Sequence, residues 1–88
     1  MDVTPEQQFA SLANALRLGA LRILLDGRAR PVRSLARDLA ISDSLCSRHL
    51  KNLGQVNLLR TFKSGRVRYY VVDRDNVANL VGVLGASR

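Results

Sequence analysis

One cysteine, Cys46, and one histidine, His49, occur in 88 residues. A lone thiol cannot close an intrachain disulfide. No Cys-x-x-Cys or His-x-x-x-His spacing exists, so neither a metal site nor a cofactor is expected. A glycine-rich phosphate loop is also missing. No apolar run approaches the ~20 residues of a bilayer span, and the opening MDVTPEQQ lacks signal-peptide organisation. No membrane partner is expected, and the cytoplasm is the expected location. Repeats, low-complexity segments and interdomain linkers are absent too.

Acids are scarce. Seven Asp and Glu stand against fourteen Lys and Arg, for a net charge of +7. Most of the seven (Asp2, Glu6, Asp26, Asp38, Asp43, Asp73 and Asp75) fall at expected element ends, where an acid is commonly a cap. That leaves no pair placed for acid–base catalysis, and an enzyme is not expected. The most telling absence is local. Residues 44–72 hold no Asp or Glu, yet hold Arg48, Lys51, Arg60, Lys63, Arg66 and Arg68 with His49. A surface of one sign suits a polyphosphate backbone.

The hydrophobic content of 47% suffices for one modest core. Residues 1–88 read as a single domain. Thr4 and Pro5 open a first helix with the stripe Phe9, Leu12, Ala13 and Leu16. Asn14 caps a second helix running to about Asp26, with Leu18, Leu21 and Leu25 on one face and Ile23 and Leu24 widening it. Gly27 stops it. Pro31, Val32 and Arg33 allow at most a very short edge strand. Ser34 is expected to cap a third helix that turns Leu35, Ala36, Leu39 and Ala40 inward.

After a tight turn at Ile41, Ser42 caps a fourth helix, with Asp43 in its first turn and Cys46, Leu50 and Leu53 as its buried seam. Asn57 ends it in the left-handed region. Residues 58–62 and 66–72 are strand-prone and joined at 63–65. Residues 73–76 end the hairpin. Val77, Leu80, Val81 and Leu84 then mark a last helix, and residues 86–88 are expected to fray. The fold class is mainly α with a β-hairpin, a winged helix-turn-helix in the order α-α-(short β)-α-α-β-β-α.

A helix-turn-helix sets its second helix into a major groove. Ser42, Ser44, Leu45, Ser47, Arg48, His49 and Lys51 are the candidate DNA-facing residues of that helix. The serines are short donors and acceptors. Arg48 can pair with guanine O6 and N7 or clamp a phosphate, and Leu45 can meet a thymine methyl. The hairpin adds Lys63, Arg66 and Arg68 as a wing toward phosphate or a minor groove. Arg28, Arg30, Arg33 and Arg37 are weaker candidates for flanking phosphates. Tyr69 and Tyr70 read as packing residues, sent to opposite faces of the hairpin. Cys46 reads as a small buried hydrophobe rather than a redox group. The first and last stripes exceed what so small a body can cover. Phe9, Leu12, Val77, Leu80, Val81 and Leu84 are therefore the candidate homodimer interface. The same basic surface would also suit an RNA-binding or protein-interaction module.

From residues 9 to 84 the chain resembles the ArsR/SmtB family of winged-helix regulators. LANALRLGALRILLDG (12–27) is similar to the family's opening signature, ISDSLCSRHLKNL (41–53) to its recognition helix, and LLRTFKSGRVRYYVV (58–72) to its wing. The resemblance implies a homodimer, built on the first and last helices, that binds a roughly palindromic double-stranded operator and usually represses transcription. It also marks departures. Where family metal sensors carry Cys-x-Cys, this chain has Pro31 and Arg33, and its last segment offers Asp75 but no histidine. The effector is left unknown.

Overall fold

Thr4 fixes where the first helix begins. Its Oγ1 accepts the Gln7 N–H at 3.2 Å while Gln7 Oε1 accepts the Thr4 N–H at 2.9 Å, a reciprocal capping box with Pro5 at the first helical position. The structure, a computed structural model, describes residues 2–85; the fraying expected at 86–88 lies outside them. Helix α1 (Pro5–Leu12) is short, because Asn14 competes for the backbone donors that follow. Asn14 is extended (φ −153°, ψ 127°), and its Oδ1 accepts the N–H groups of Leu16 and Arg17 at 3.0 and 3.1 Å, opening α2 (Ala15–Leu24). The expected single stripe is therefore broken. Ala13 is an exposed C-cap and Leu16 belongs to α2.

The buried face of α2 also differs from expectation. It is Ala20, Leu21 and Leu24, and Leu25 is 49% exposed. Gly27 does stop the chain, at φ +84° with its N–H on Leu24 O. A Cβ there would also collide with the Arg74 guanidinium. Strand β1 (Arg30–Pro31) is as short as expected, and it leads straight into α3 (Val32–Leu39). Ser34 is thus inside the first turn and not the cap; Pro31 holds that position with no side-chain bond. Leu35 and Ala36 are buried, but Ala40 is exposed rather than inward. Ala40 takes the left-handed conformation (φ 57°, ψ 45°) that closes α3, with the Ile41 N–H reaching Ala36 O at 3.0 Å.

Ser42 Oγ accepts the Leu45 N–H at 3.1 Å and starts α4 (Asp43–Gln55). Cys46, Leu50 and Leu53 are each fully buried, as their spacing requires. Asn57 turns the chain at φ 64° into β2 (Leu59–Ser64), which pairs antiparallel with β3 (Val67–Val72). The hairpin tip is Gly65-Arg66, not 63–65. Ser64 pairs with Val67, and Gly65 at φ 63° supplies the first position of a tight two-residue turn. The sheet order is β1-β3-β2. Asp73 ends the hairpin as expected, but residues 74–76 already belong to the last helix. Asp73 Oδ1 accepts the Asn76 N–H at 3.0 Å, and α5 runs from Arg74 to Gly85 (Arg74–Gly85). The core joins α2, α3 and α4 to Leu58, Leu59, Tyr70, Val72 and Leu80.

Candidate nucleic-acid interface

Helix α4 divides into distinct stripes because its spacing is regular. The apolar seam at 46, 50 and 53 faces the core, so positions 44, 48, 51 and 55 fall outward. Ser44, Arg48, Lys51 and Gln55 are accordingly exposed along one line. Ser42 is exposed too, but its hydroxyl is committed to the cap. Leu45 and Ser47 flank the line and are half-buried. His49 is not on it. It is half-buried and turned toward α2, with Nδ1 3.2 Å from Arg17 Nη1. Its desolvation, with Arg17 and Arg48 beside it, holds its pKa below the ordinary 6.5.

The wing continues the basic line. Strand alternation puts Leu59, Thr61 and Lys63 of β2 on the same face as Arg68, Tyr70 and Val72 of β3. Leu59, Tyr70 and Val72 bury that face against the body, so Lys63 and Arg68 project from its outer end. Lys51, Gly54, Gln55, Leu59, Thr61, Arg68 and Tyr70 line one groove of about 440 Å³ between α4 and the hairpin. Lys51 and Arg68 therefore share a groove, although 17 positions separate them. Thr61 Oγ1 braces Arg68, accepting its Nη1 at 3.1 Å while donating to Tyr69 O at 3.0 Å.

Charge is concentrated here against a cost. Lys63 and Arg68 stand directly opposite each other across the strands. Like charges in that position destabilise a hairpin, and a bound anion relieves the repulsion. Among the described residues, Arg48, Lys51, Lys63, Arg66 and Arg68 have no carboxylate within ion-pair distance. The weaker candidates differ. Arg30 pairs with Asp26 and Arg33 lies 3.9 Å from Asp43, while Arg28 and Arg37 are exposed. On the far side of the hairpin Tyr69 stacks on Phe62, with centroids 5.5 Å apart, and Tyr70 is buried on the near side. Opposite facing of the two tyrosines is what strand alternation predicts.

Sequence reasoning missed Arg17, Gln55 and Thr61. Gln55 continues the 44, 48, 51 spacing and could have been found from it. Arg17 and Thr61 act through tertiary neighbours and carry no local signal. Cys46 is buried with Sγ 3.8 Å from Val32 O, and burial, with Asp43 nearby, pushes its pKa up. Such a thiol stays protonated and is a poor nucleophile. Among the described residues no three His, Cys, Asp or Glu side chains group where a metal could sit. No helix among them is long and apolar enough to cross a membrane.

The candidate interface residues are also redistributed. Phe9, Leu12 and Val77 are half-buried against the core. Leu80 is 4% exposed and belongs to the core itself, so it offers no free surface. Exposure lies further along α5, at Val81 (62%), Val83 and Leu84. Val83 was not anticipated.

These features match known proteins. The family described as "Bacterial regulatory protein, arsR family" matches residues 14–61, from the α2 cap into β2. NolR from Sinorhizobium fredii is 30% identical over 92% of this chain and 80% of its own, with a TM-score of 0.76. A possible transcriptional regulator for arsenical resistance is also 30% identical, over 91% and 82%, with a TM-score of 0.82. The homodimeric winged helix-turn-helix DNA-binding domain of a possible ArsR-family regulator from Mycobacterium bovis is 26% identical over 93% and 75%, with a TM-score of 0.77. No curated protein matches the chain. The chain belongs to the arsR family of bacterial regulatory proteins, and it is a winged helix-turn-helix, DNA-binding transcriptional regulator.

Proposed function

We propose that the chain acts as a cytoplasmic homodimer that reads an inverted-repeat operator and represses transcription from it. In this reading residues 1–88 form one unit for DNA binding and dimerisation. The observation that carries it is the continuous basic surface of α4 and the wing, where five cations lack acidic partners among the described residues. Ser44, Arg48 and Lys51 enter the major groove, with Leu45 and Ser47 at its edge. Ser42 orients the helix through its cap. Lys63, Arg66 and Arg68 hold phosphates. His49 acts indirectly, by its contact with Arg17.

The dimer half of the reading is supported by the exposed apolar end of α5 and by the homodimeric Mycobacterium bovis domain. Phe9, Leu12, Val77, Val81 and Leu84 contribute to the interface, and Leu80 supports it from the core. Two recognition helices on a two-fold axis then enter successive major grooves about 34–36 Å apart. Repression works without the family's cysteine pair, since Pro31 and Arg33 stand at those positions.

Selection of bound fragments from genomic DNA, followed by competition at fixed salt, tests the proposal. An imperfect inverted repeat should emerge, and it should compete far better than random DNA or RNA. Log K should fall with log salt at a slope of roughly −5 or steeper. A flat salt response would sink the DNA reading. Equal competition by RNA would favour an RNA-binding module instead.

A further inference from the structure

Beside its buried seam and its exposed line, α4 has a third row. His49 and Asn52 sit three residues apart on one flank, and the C-cap Val56, just past the last turn, adds its backbone carbonyl at the end of that flank. Each meets a polar group from α1 or from the start of α2. Gln8 Nε2 donates to Val56 O at 2.9 Å. Ser11 Oγ donates to Asn52 Oδ1. Arg17 Nη1 lies 3.2 Å from His49 Nδ1, and Arg17 Nε donates back to Ser11 O at 2.6 Å. The contacts run antiparallel, with 8, 11 and 17 against 56, 52 and 49. Ser11 is 6% exposed and is the buried polar residue of the described chain.

We infer that Gln8, Ser11 and Arg17 are positioning residues for α4, and that this polar ladder sets the roll of the recognition helix and so the aim of Arg48 and its neighbours. The inference rests on the DNA reading proposed above. The apolar seam cannot do this alone. Packing of Cys46, Leu50 and Leu53 is non-directional and tolerates small rotations, whereas hydrogen bonds are directional and weaken steeply off axis. A helix with its side chains has a radius of about 5–6 Å. A roll of about 10° therefore moves a side-chain tip by roughly 1 Å, enough to lose a hydrogen bond to a base edge. A phosphate contact is more forgiving, because a long flexible cation follows its partner. The ladder should thus govern selectivity more than overall attraction. Since α1 is part of the proposed dimer interface, the same bonds tie the aim of α4 to the two-fold axis.

Ser11 is the discriminating position, because a buried hydroxyl cannot touch DNA and can act only through Asn52. Ser11→Ala, Asn52→Ala and the double variant would each be titrated with the genomic site selected as above and with a random duplex of equal length. Melting temperature and sedimentation would be recorded alongside. Ser11→Ala should lose about 10-fold on the selected site and under about 3-fold on random DNA, with the dimer intact. The double variant should be no worse than Asn52→Ala alone, because both remove one bond. Gln8→Ala, at the half-buried outer end, should show the same bias to a smaller degree, and it serves if Ser11→Ala fails to fold. Equal losses on both DNAs, no loss, or additive losses in the double variant would overturn the ladder. Should wild-type protein select no site at all, the proposed function and the ladder fall together. If it selects one and Ser11→Ala keeps full selectivity, only the ladder falls.

Discussion

Helix α4 with its wing, and helix α5 with α1, leave different kinds of surface uncovered. The first leaves cations without a carboxylate partner among the described residues, at Arg48, Lys51, Lys63, Arg66 and Arg68. The second leaves aliphatic side chains, at Val81 and Val83. Folding has satisfied neither, since charge repels across the hairpin and apolar area stays in water. The two surfaces share no residue. The difference teaches how one small core can support two binding events: phosphates complete the first surface, and a second copy completes the other.

Splitting the two surfaces should give the largest effect. Val81 is 62% exposed, so an acid there costs the isolated chain little. In the proposed dimer it would be buried without a partner. Val81→Asp should give a monomer by sedimentation and lower operator affinity by about 100-fold or more, as the second half-site loses its tethered partner. Weak non-specific binding by each monomer should survive. Leu80→Asp is the poorer probe, because it would disrupt the core first. Full operator affinity from monomeric Val81→Asp protein would remove α5 from the reading.

Within the basic surface, α4 and the wing should separate next. Arg48→Ala should cost about 1–3 kcal/mol at the selected site and little on random DNA. Arg66→Ala and Arg68→Ala should weaken both DNAs alike, as phosphate contacts do. Arg68 also holds Thr61, so its loss should loosen the wing as well. Parallel losses for all three variants on both DNAs would show that the groove shared by α4 and the wing acts only as an electrostatic patch.

Residues that work through regular spacing were legible in the sequence, and residues that work across the fold were not. The seam at Cys46, Leu50 and Leu53 follows from helical period alone, and the caps at Thr4, Asn14 and Ser42 from their side-chain chemistry. Misreadings cluster at helix junctions. Ala40 adopts φ 57° although alanine does not favour that region; the bond from the Ile41 N–H to Ala36 O closes the turn, and Ile41 packs against the core beyond it. Leu80 looked like interface because its stripe continues past the core, and only packing shows where burial ends. Helical spacing puts His49 toward a flank of α4, but its contact with Arg17, 32 positions away, was not legible. A partner at that separation leaves no trace in local pattern.

The buried seam of α4 offers a smaller effect, on stability rather than on binding. Cys46 is fully buried, so Cys46→Ala should cost about 1–2 kcal/mol through lost packing. For a chain of this size that lowers the melting temperature by roughly 4–8 °C per kcal/mol. DNA affinity of the folded variant should be unchanged, and alkylation of native protein should be slow. Fast alkylation with loss of operator binding would make the seam chemically active and remove the contrast between the stripes of α4.

The smallest effect should come from His49, and it has a defined direction. Arg17 can only donate, so its contact with Nδ1 requires that nitrogen to be unprotonated. Desolvation and the neighbouring Arg17 and Arg48 favour neutral His49 in the folded chain, below the ordinary 6.5. The unfolded chain therefore takes up a proton first as pH falls. Stability from neutral His49 is present in full above about 6.5 and is lost as pH drops through the lowered folded value. Asp26 and Asp73 are lowered as well. Backbone N–H bonds, from Arg28 and Asn76 respectively, are the main cause. Their contributions fade only near and below 3.8, in a separate window. Melting temperatures of wild type and His49→Gln, compared at about pH 7.5 and about pH 5.5, isolate the histidine. Wild type should lose more on acidification than the variant, by less than any loss above. An equal loss in both proteins would show that the Arg17 contact does not discriminate between the charge states of His49.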